Sequence, residues 1–254
     1  MNHKANCLSH WFPILQAAGV PVPRTEIVRC REGTDLTTSF ADGDAPNGWT
    51  DFIADLGAAV DRIGCPCFLR TGQGSGKHQW KDTCCLTERS LLATHVGTLV
   101  EWSECAGMLG LPCDVWCVRE MLPVDPVAIL DAYGDMPLVP ELRVFVKGGS
   151  VVCRHWYWPA GAICKGFRRE PENIGEIITD SRPSLTFGAG NGPGTIAVFV
   201  ALALDKAFPG SAWSVDLLLT KRGWYATDCA LAGESFHWPG CDKAKEFSRK
   251  ETDL

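Results

Sequence analysis

The sequence predicts an α+β fold built from antiparallel hairpins and amphipathic helices, and three observations carry that prediction. Glu141 to Cys153, ELRVFVKGGSVVC, sets two β-branched runs on either side of Lys147-Gly148-Gly149, the pattern of a tight hairpin. Phe52, Ile53, Leu56, Val60 and Ile63 recur at a 3.6-residue period, as do the apolar residues from Leu91 to Trp102, so two helices are expected there. Between them Gly64 to Asp82, GCPCFLRTGQGSGKHQWKD, runs from a short apolar strand through Arg70 into a loop holding three glycines and a serine. The chain is organised around this stretch. Glycine lets backbone N–H groups approach phosphate oxygens and Lys77 adds a point charge, so a strand that delivers a cation into such a loop can grip a polyphosphate. Taken alone, the same loop reads as a solvated surface turn.

Composition narrows the function classes. With 254 residues, of which 46% are hydrophobic, the chain can bury a substantial core divided among one to three lobes. A formal net charge of −6 leaves no global basic footprint, so nucleic acid is not the expected partner and any anion must be held by local cations. No run approaches the roughly 18 apolar residues of a membrane helix, and Met1 to Leu15 lacks a signal-peptide pattern. A cytoplasmic protein without membrane contact is expected. The 13 cysteines form no paired CxxC knuckles, and the six histidines make no HxxxH or HxH pair. They are expected as buried free thiols and isolated imidazoles, with no zinc.

In chain order, Ser9 is a candidate N-cap for a short helix that Gly19 would end. Thr25 to Cys30 reads as a strand and 31–48 as a polar connection. Asn47-Gly-Trp-Thr starts the helix that Gly64 stops, leading into the apolar run Pro66 to Leu69. Thr83 to Leu86 could return as a strand, and Thr87 to about Met108 as a long helix. Cys113 to Leu122, CDVWCVREML, is rich in β-formers and sets Arg119 and Glu120 just before the turn at Pro123. Pro159 to Pro193 shows little periodicity and is expected as a long loop. Gly194 to Phe208 reads as a helix, Trp213 to Leu219 and Gly223 to Cys229 as a second hairpin, and the residues after Cys241 as a loosely held charged tail.

These motifs, in this order, resemble the ATP-grasp superfamily. A helix ending in "IG" followed by "PCFLRTGQGSGK" looks like the opening of its nucleotide lobe, with arginine where lysine is usual, as in arginine-bearing subgroups from phages and bacteria. The strand ending VREML is similar to the hinge, ELRVFVKGG to the core strand, and Gly194 to Asp228 to the segment carrying the metal-binding acids. "AAGVPVPRTEIV" looks like the lobe that precedes the nucleotide lobe. The resemblance implies two α+β lobes gripping a nucleotide. It places a pre-ATP-grasp lobe over 1–48, a nucleotide-binding small lobe over 49–122, a core lobe with the metal site over 123–241 and a charged tail over 242–254.

It also implies chemistry. ATP carries about four negative charges, and transfer of its terminal phosphoryl group depends mostly on positioning and charge neutralisation. Arg70, Gly74, Ser75, Gly76 and Lys77 would hold the phosphates. Glu120 would bind the ribose, and the backbone near Met121 and Leu122 would meet the adenine. Arg143 and Arg154 are the implied catalytic residues, Arg154 with His155, Lys165 and Arg168 as candidates to bind a carboxylate. Asp216 and Asp228 would ligate magnesium, a hard ion that takes oxygen donors. The implied reaction joins a small-molecule or peptide carboxylate to an amine or thiol through an acylphosphate.

One departure bears on that reading. The family has an asparagine two residues after its last metal-binding acid, whereas here Ala230 stands two residues after Asp228; Glu234, Ser235 and His237 are the polar residues that follow. The alternative is therefore an ATP-binding protein without turnover that acts on a protein partner, as in a eukaryotic assembly chaperone of similar fold. The cluster Trp156-Tyr157-Trp158 would suit such an interface. A kinase is disfavoured because no HRD-type catalytic loop is present.

Overall fold

The computed structural model describes residues 3–36, 45–106, 110–186 and 192–247, and each strand pairing among them is antiparallel. Helices α1 (His3–Asn6) and α2 (Leu8–Ala17) come first. In α2 the residues Leu8, Trp11, Phe12 and Leu15 are all buried, as their one-face spacing requires. Ser9 lies inside this helix rather than at its cap. Cys7 is the N-cap and supplies no side-chain bond, while the Leu8 N–H donates to the Gly72 carbonyl at 2.8 Å, so the glycine-rich loop satisfies part of the helix end.

The first sheet is formed by β1 (Thr25–Arg29), β2 (Cys67–Thr71), β3 (Cys85–Leu86) and β4 (Val115–Glu120), in the spatial order β1-β4-β2-β3. Helices α3 (Trp49–Ile63) and α4 (Leu92–Cys105) cover one face through Leu56, Val60, Val96 and Leu99, which pack on Trp116 and Val118. Alternation along the strands sends Phe68, Arg70, Cys117 and Arg119 to the opposite face, where Arg70 stands opposite Cys117 and Phe68 opposite Arg119.

The second half begins with a small hairpin, β5 (Ala128–Leu130) and β6 (Met136–Leu138), followed by β7 (Glu141–Lys147) and β8 (Ser150–Trp156). Then come α5 (Ala160–Lys165), α6 (Ile174–Asp180), α7 (Pro193–Ala207), β9 (Ala212–Thr220) and β10 (Gly223–Leu231). The large sheet runs β10-β9-β7-β8. Val144, Val146, Val215 and Leu217 bury one of its faces against α7 and α2 in a single core. Glu141, Arg143 and Asp216 leave the other face, the one turned toward the first sheet.

Three further expectations are corrected. The long helix expected from Thr87 begins as a 3-10 turn, Arg89–Leu91, and α4 proper ends at Cys105; residues 107–109, within its expected end, lie outside the described residues. Within the expected loop 159–193, of which 187–191 lie outside the described residues, the chain forms two helices. Helices α5 and α6 bury Ile163 and Ile177 against Leu130, Met136, Leu138 and Trp158. The described part of the charged tail, 242–247, carries a 3-10 turn, Ala244–Glu246, and buries Phe247 against Phe145 and Ala232; residues 248–254 lie outside the described residues. Within 1–48, of which 1–2 and 37–44 lie outside the described residues, β1 is hydrogen-bonded to β4, whereas α2 packs on α7. Among the described residues no helix is long and apolar enough to cross a membrane.

Candidate functional site

A continuous cleft separates the two sheets, with an apolar half and a charged half. Phe68, Trp80, Met121, Leu122, Met136 and Val139 line the apolar half, beside Glu120. Arg70, Gly74, Ser75, Gly76 and Lys77 line the charged half from the first sheet, and Glu141, Tyr157, Asp216 and Asp228 line it from the second. Phe68, Lys77, Arg119, Glu141 and Thr227 border both halves.

Ion pairs span this cleft. Arg70, 3% exposed at the end of β2, places Nη1 3.2 Å from Asp228 Oδ1 on β10. Burial disfavours its charge, but the Asp228 carboxylate, with smaller contributions from Cys117 and Cys7, outweighs burial and the pKa of Arg70 is raised. Lys77 Nζ lies 3.6 Å from Glu141 Oε2 and 3.9 Å from the centre of the Tyr157 ring. Burial lowers the Lys77 pKa, yet Glu141 and then Tyr157 raise it beyond that loss; burial likewise pushes the Glu141 carboxyl up against the pull of Lys77. Arg143 holds Asp216 in a bidentate fork, Nε to Oδ1 at 2.8 Å and Nη2 to Oδ2 at 2.9 Å, because the two residues face each other across β7 and β9. Asp216 in turn faces Asp228 across β9 and β10, next to a register shift between Ala226 and Asp228.

Arg119 borders both halves of the cleft, although no sequence motif assigns it a role. It is 3% exposed, and its Nε and Nη1 donate to Thr25 Oγ1 and the Thr227 carbonyl, but Nη2 is buried without a hydrogen-bond partner. Burial, and then the neighbouring Arg70 cation, lower its pKa to about 10. An unpaired buried N–H of a cation bordering a cleft calls for an anion. Its only sequence signal was adjacency to the hinge acid.

The glycines of the loop have a packing role. A Cβ on Gly74 would stand 2.6 Å from Trp102 Cζ3, and Gly76 adopts a left-handed φ of 59°. The Gln73 and Gly74 N–H groups donate to Thr71 Oγ1, which fixes the turn. The remaining expected residues divide. Glu120 borders the apolar half, but Oε1 already accepts from the Arg24 N–H at 2.9 Å and Oε2 from Arg222 Nη2 at 3.0 Å. Arg154 does not line the cleft as expected: His155 is the residue opposite Arg143, so Arg154 leaves the other face of β8, away from the charged half. Lys165 and Arg168 likewise lie off the cleft walls, with the Arg168 N–H donating to Asp131 Oδ1. Ala230 stands opposite Ser214; Glu234 accepts from Asn6 Nδ2 at 2.6 Å, Ser235 bonds Ser214, and His237 meets Cys153, so none of these three borders the cleft.

No protein-family model matches the sequence, and no curated protein matches it either. Solved structures do. Cdc123 from Schizosaccharomyces pombe superposes with a TM-score of 0.52 at 13% identity, over 97% of this chain and 88% of that one. Its C-terminally truncated form gives 0.54 at 12% identity, over 94% and 86%. D-alanyl-alanine synthetase A from Vibrio cholerae gives 0.48 at 12% identity, over 90% of this chain and 55% of that one. The fold is ATP-grasp-like and of the α+β class, as the motif order implied.

Proposed function

We propose that the cleft binds ATP with magnesium and that the protein is an ATP-dependent ligase. A carboxylate substrate would attack the terminal phosphorus, giving an acylphosphate and ADP; an amine, or a thiol, would then attack the acyl carbon and release phosphate. The observation that carries this reading is the meeting of Arg70, Lys77 and Arg119 from one sheet with Asp216 and Asp228 from the other, beside an apolar recess. A purine needs apolar walls. A triphosphate needs several cations from different elements, and Arg119 has an unsatisfied N–H to give it. Asp216 and Asp228 present oxygen donors on adjacent strands and are the residues that would hold magnesium, which supplies charge neutralisation at the phosphates. Glu120 keeps acceptor capacity for a ribose hydroxyl beyond its two present donors, since an ionised carboxylate offers about four lone-pair sites.

A second reading is favoured by one observation: Ala230 occupies the position at which the family pattern has a metal-ligating asparagine. In that reading ATP is held without turnover and the partner is a protein. The pure protein incubated with ATP, magnesium and pooled amino acids separates the two. Release of ADP that depends on the pool supports the ligase. Saturable ATP binding with no ADP above background supports the second reading, and absence of ATP binding removes both.

A further inference from the structure

On the same face of the large sheet as Arg143 and Asp216, four metal-binding side chains converge at its outer edge. Cys153 and His155 are two residues apart on the edge strand β8 and project from one face. His237 and Cys241 come from the segment after β10, HWPGC, where the Cys241 N–H donates to the Trp238 carbonyl and closes a turn. One ligand atom from each lies within 4.8 Å of all the others, and Cys153 Sγ is 3.1 Å from His237 Nε2. His155 Nε2 is buried with no hydrogen-bond partner, and the two imidazoles are crossed at 76° with centroids 4.7 Å apart.

We propose that Cys153, His155, His237 and Cys241 bind one zinc ion in a Cys2His2 site. A tetrahedral ion with Zn–S of about 2.3 Å and Zn–N of about 2.0–2.1 Å spaces its donors roughly 3.4–3.8 Å apart, so the observed cluster needs only small side-chain shifts to close on it. Two thiols and two imidazoles match zinc rather than magnesium or calcium, which take oxygen ligands. A coordinated cation would deprotonate the two thiols.

Four protein ligands leave no open position, so the ion is structural. It ties the segment after β10 to an otherwise open sheet edge, where Phe247 stacks on Phe145 at 5.2 Å and Trp238 Nε1 donates to the Trp156 carbonyl at 2.7 Å. His155 stands opposite Arg143, so this clamp lies one residue pair along from the charged half of the cleft. The Cys-x-His and His-x3-Cys spacings, separated by most of the second lobe, match neither CxxC nor HxxxH, so the cluster has no local sequence signature, contrary to the expected absence of zinc.

The proposal stands apart from the nucleotide reading, and its test uses no nucleotide. The full chain is produced in zinc-supplemented medium without a metal-affinity step, and bound metal is counted by mass spectrometry. One zinc per chain is expected, falling to background in the Cys153→Ser/Cys241→Ser variant. Cobalt substitution of the wild type should give the absorption of tetrahedral cobalt with thiolate ligands. Should the variant fail to fold, alkylation of the wild type decides: Cys153 and Cys241 should be protected with zinc and modified after chelation. Background zinc in the wild type, a Cys153–Cys241 disulfide, equal alkylation with and without chelator, or full zinc in a folded double variant would each overturn the proposal.

Discussion

Arg70 and Arg119 both lie buried in the first sheet's wall of the cleft, yet Arg70 meets a carboxylate and Arg119 keeps one N–H bare. A charge-assisted hydrogen bond contributes about 1.5–3 kcal/mol, so Arg70→Ala should weaken ATP binding roughly tenfold to a hundredfold by titration calorimetry. The Asp228 that it strands is 41% exposed and can rehydrate, so the fold should survive. Unchanged affinity would remove Arg70 from the site. Glu120 supports a pH prediction. Burial alone would raise its pKa, but the Arg24 N–H and then Arg222 lower it below the ordinary 4.5. A depressed carboxylate binds fewer protons folded than unfolded, so its contribution is complete above about pH 4.5 and is lost as pH falls through the folded value. Denaturant unfolding of Glu120→Gln should therefore differ from wild type at neutral pH and converge with it on acidification. A gap that widens below pH 4.5 would contradict the depressed pKa. The motif arginines and aspartates were legible because phosphate and magnesium chemistry selects residue type and order. Arg119 was not, since nothing in VREML distinguishes a bare guanidinium from a satisfied one.

At the scale of elements, the glycine-rich loop is held by its neighbour rather than by glycine freedom alone. Trp102 of α4 lies where a Gly74 Cβ would go, 2.6 Å from its Cζ3, so Gly74→Ala must displace an indole ring. Overpacking of this kind costs about 1–3 kcal/mol. Denaturant unfolding should show that loss in Gly74→Ala and a smaller one when the same change is made in a Trp102→Ala background, because the two sites share the contact. Equal losses in both backgrounds would mean that the loop, not the packing, sets the requirement. The contact could not be read from the chain, although the elements making it could. Strands β2, β7, β8, β9 and β10 and helices α3 and α7 were legible because long hairpin and helix periods repeat enough to be seen. Helices α5 and α6, of 6 and 7 residues, complete no second turn of pattern, and β5 and β6 have 3 residues each, so tertiary burial of Ile163, Ile177 and Leu130 decides those segments.

Across the whole molecule, the two sheets are joined by ion pairs that a nucleotide would have to replace. Arg70–Asp228 and Lys77–Glu141 each run from one half to the other, and Arg143 engages Asp216 on the second sheet. ATP without a cation would take the arginines and lysine from their carboxylates and leave those carboxylates facing its phosphates; magnesium between them removes that repulsion. Stabilisation by ATP should therefore be small alone and large with magnesium. A ligand at a hundred times its Kd adds about 2.7 kcal/mol, which for a chain of this size shifts Tm by roughly 5–10 °C. Asp228→Asn keeps the shape and one oxygen acceptor but removes the negative charge, so it should retain the effect of ATP alone and lose the magnesium-dependent increment in a thermal-shift measurement. If the full increment persists in Asp228→Asn, the ion is held elsewhere, and the pairing of aspartates across β9 and β10 is a feature of the charged cleft rather than a metal site.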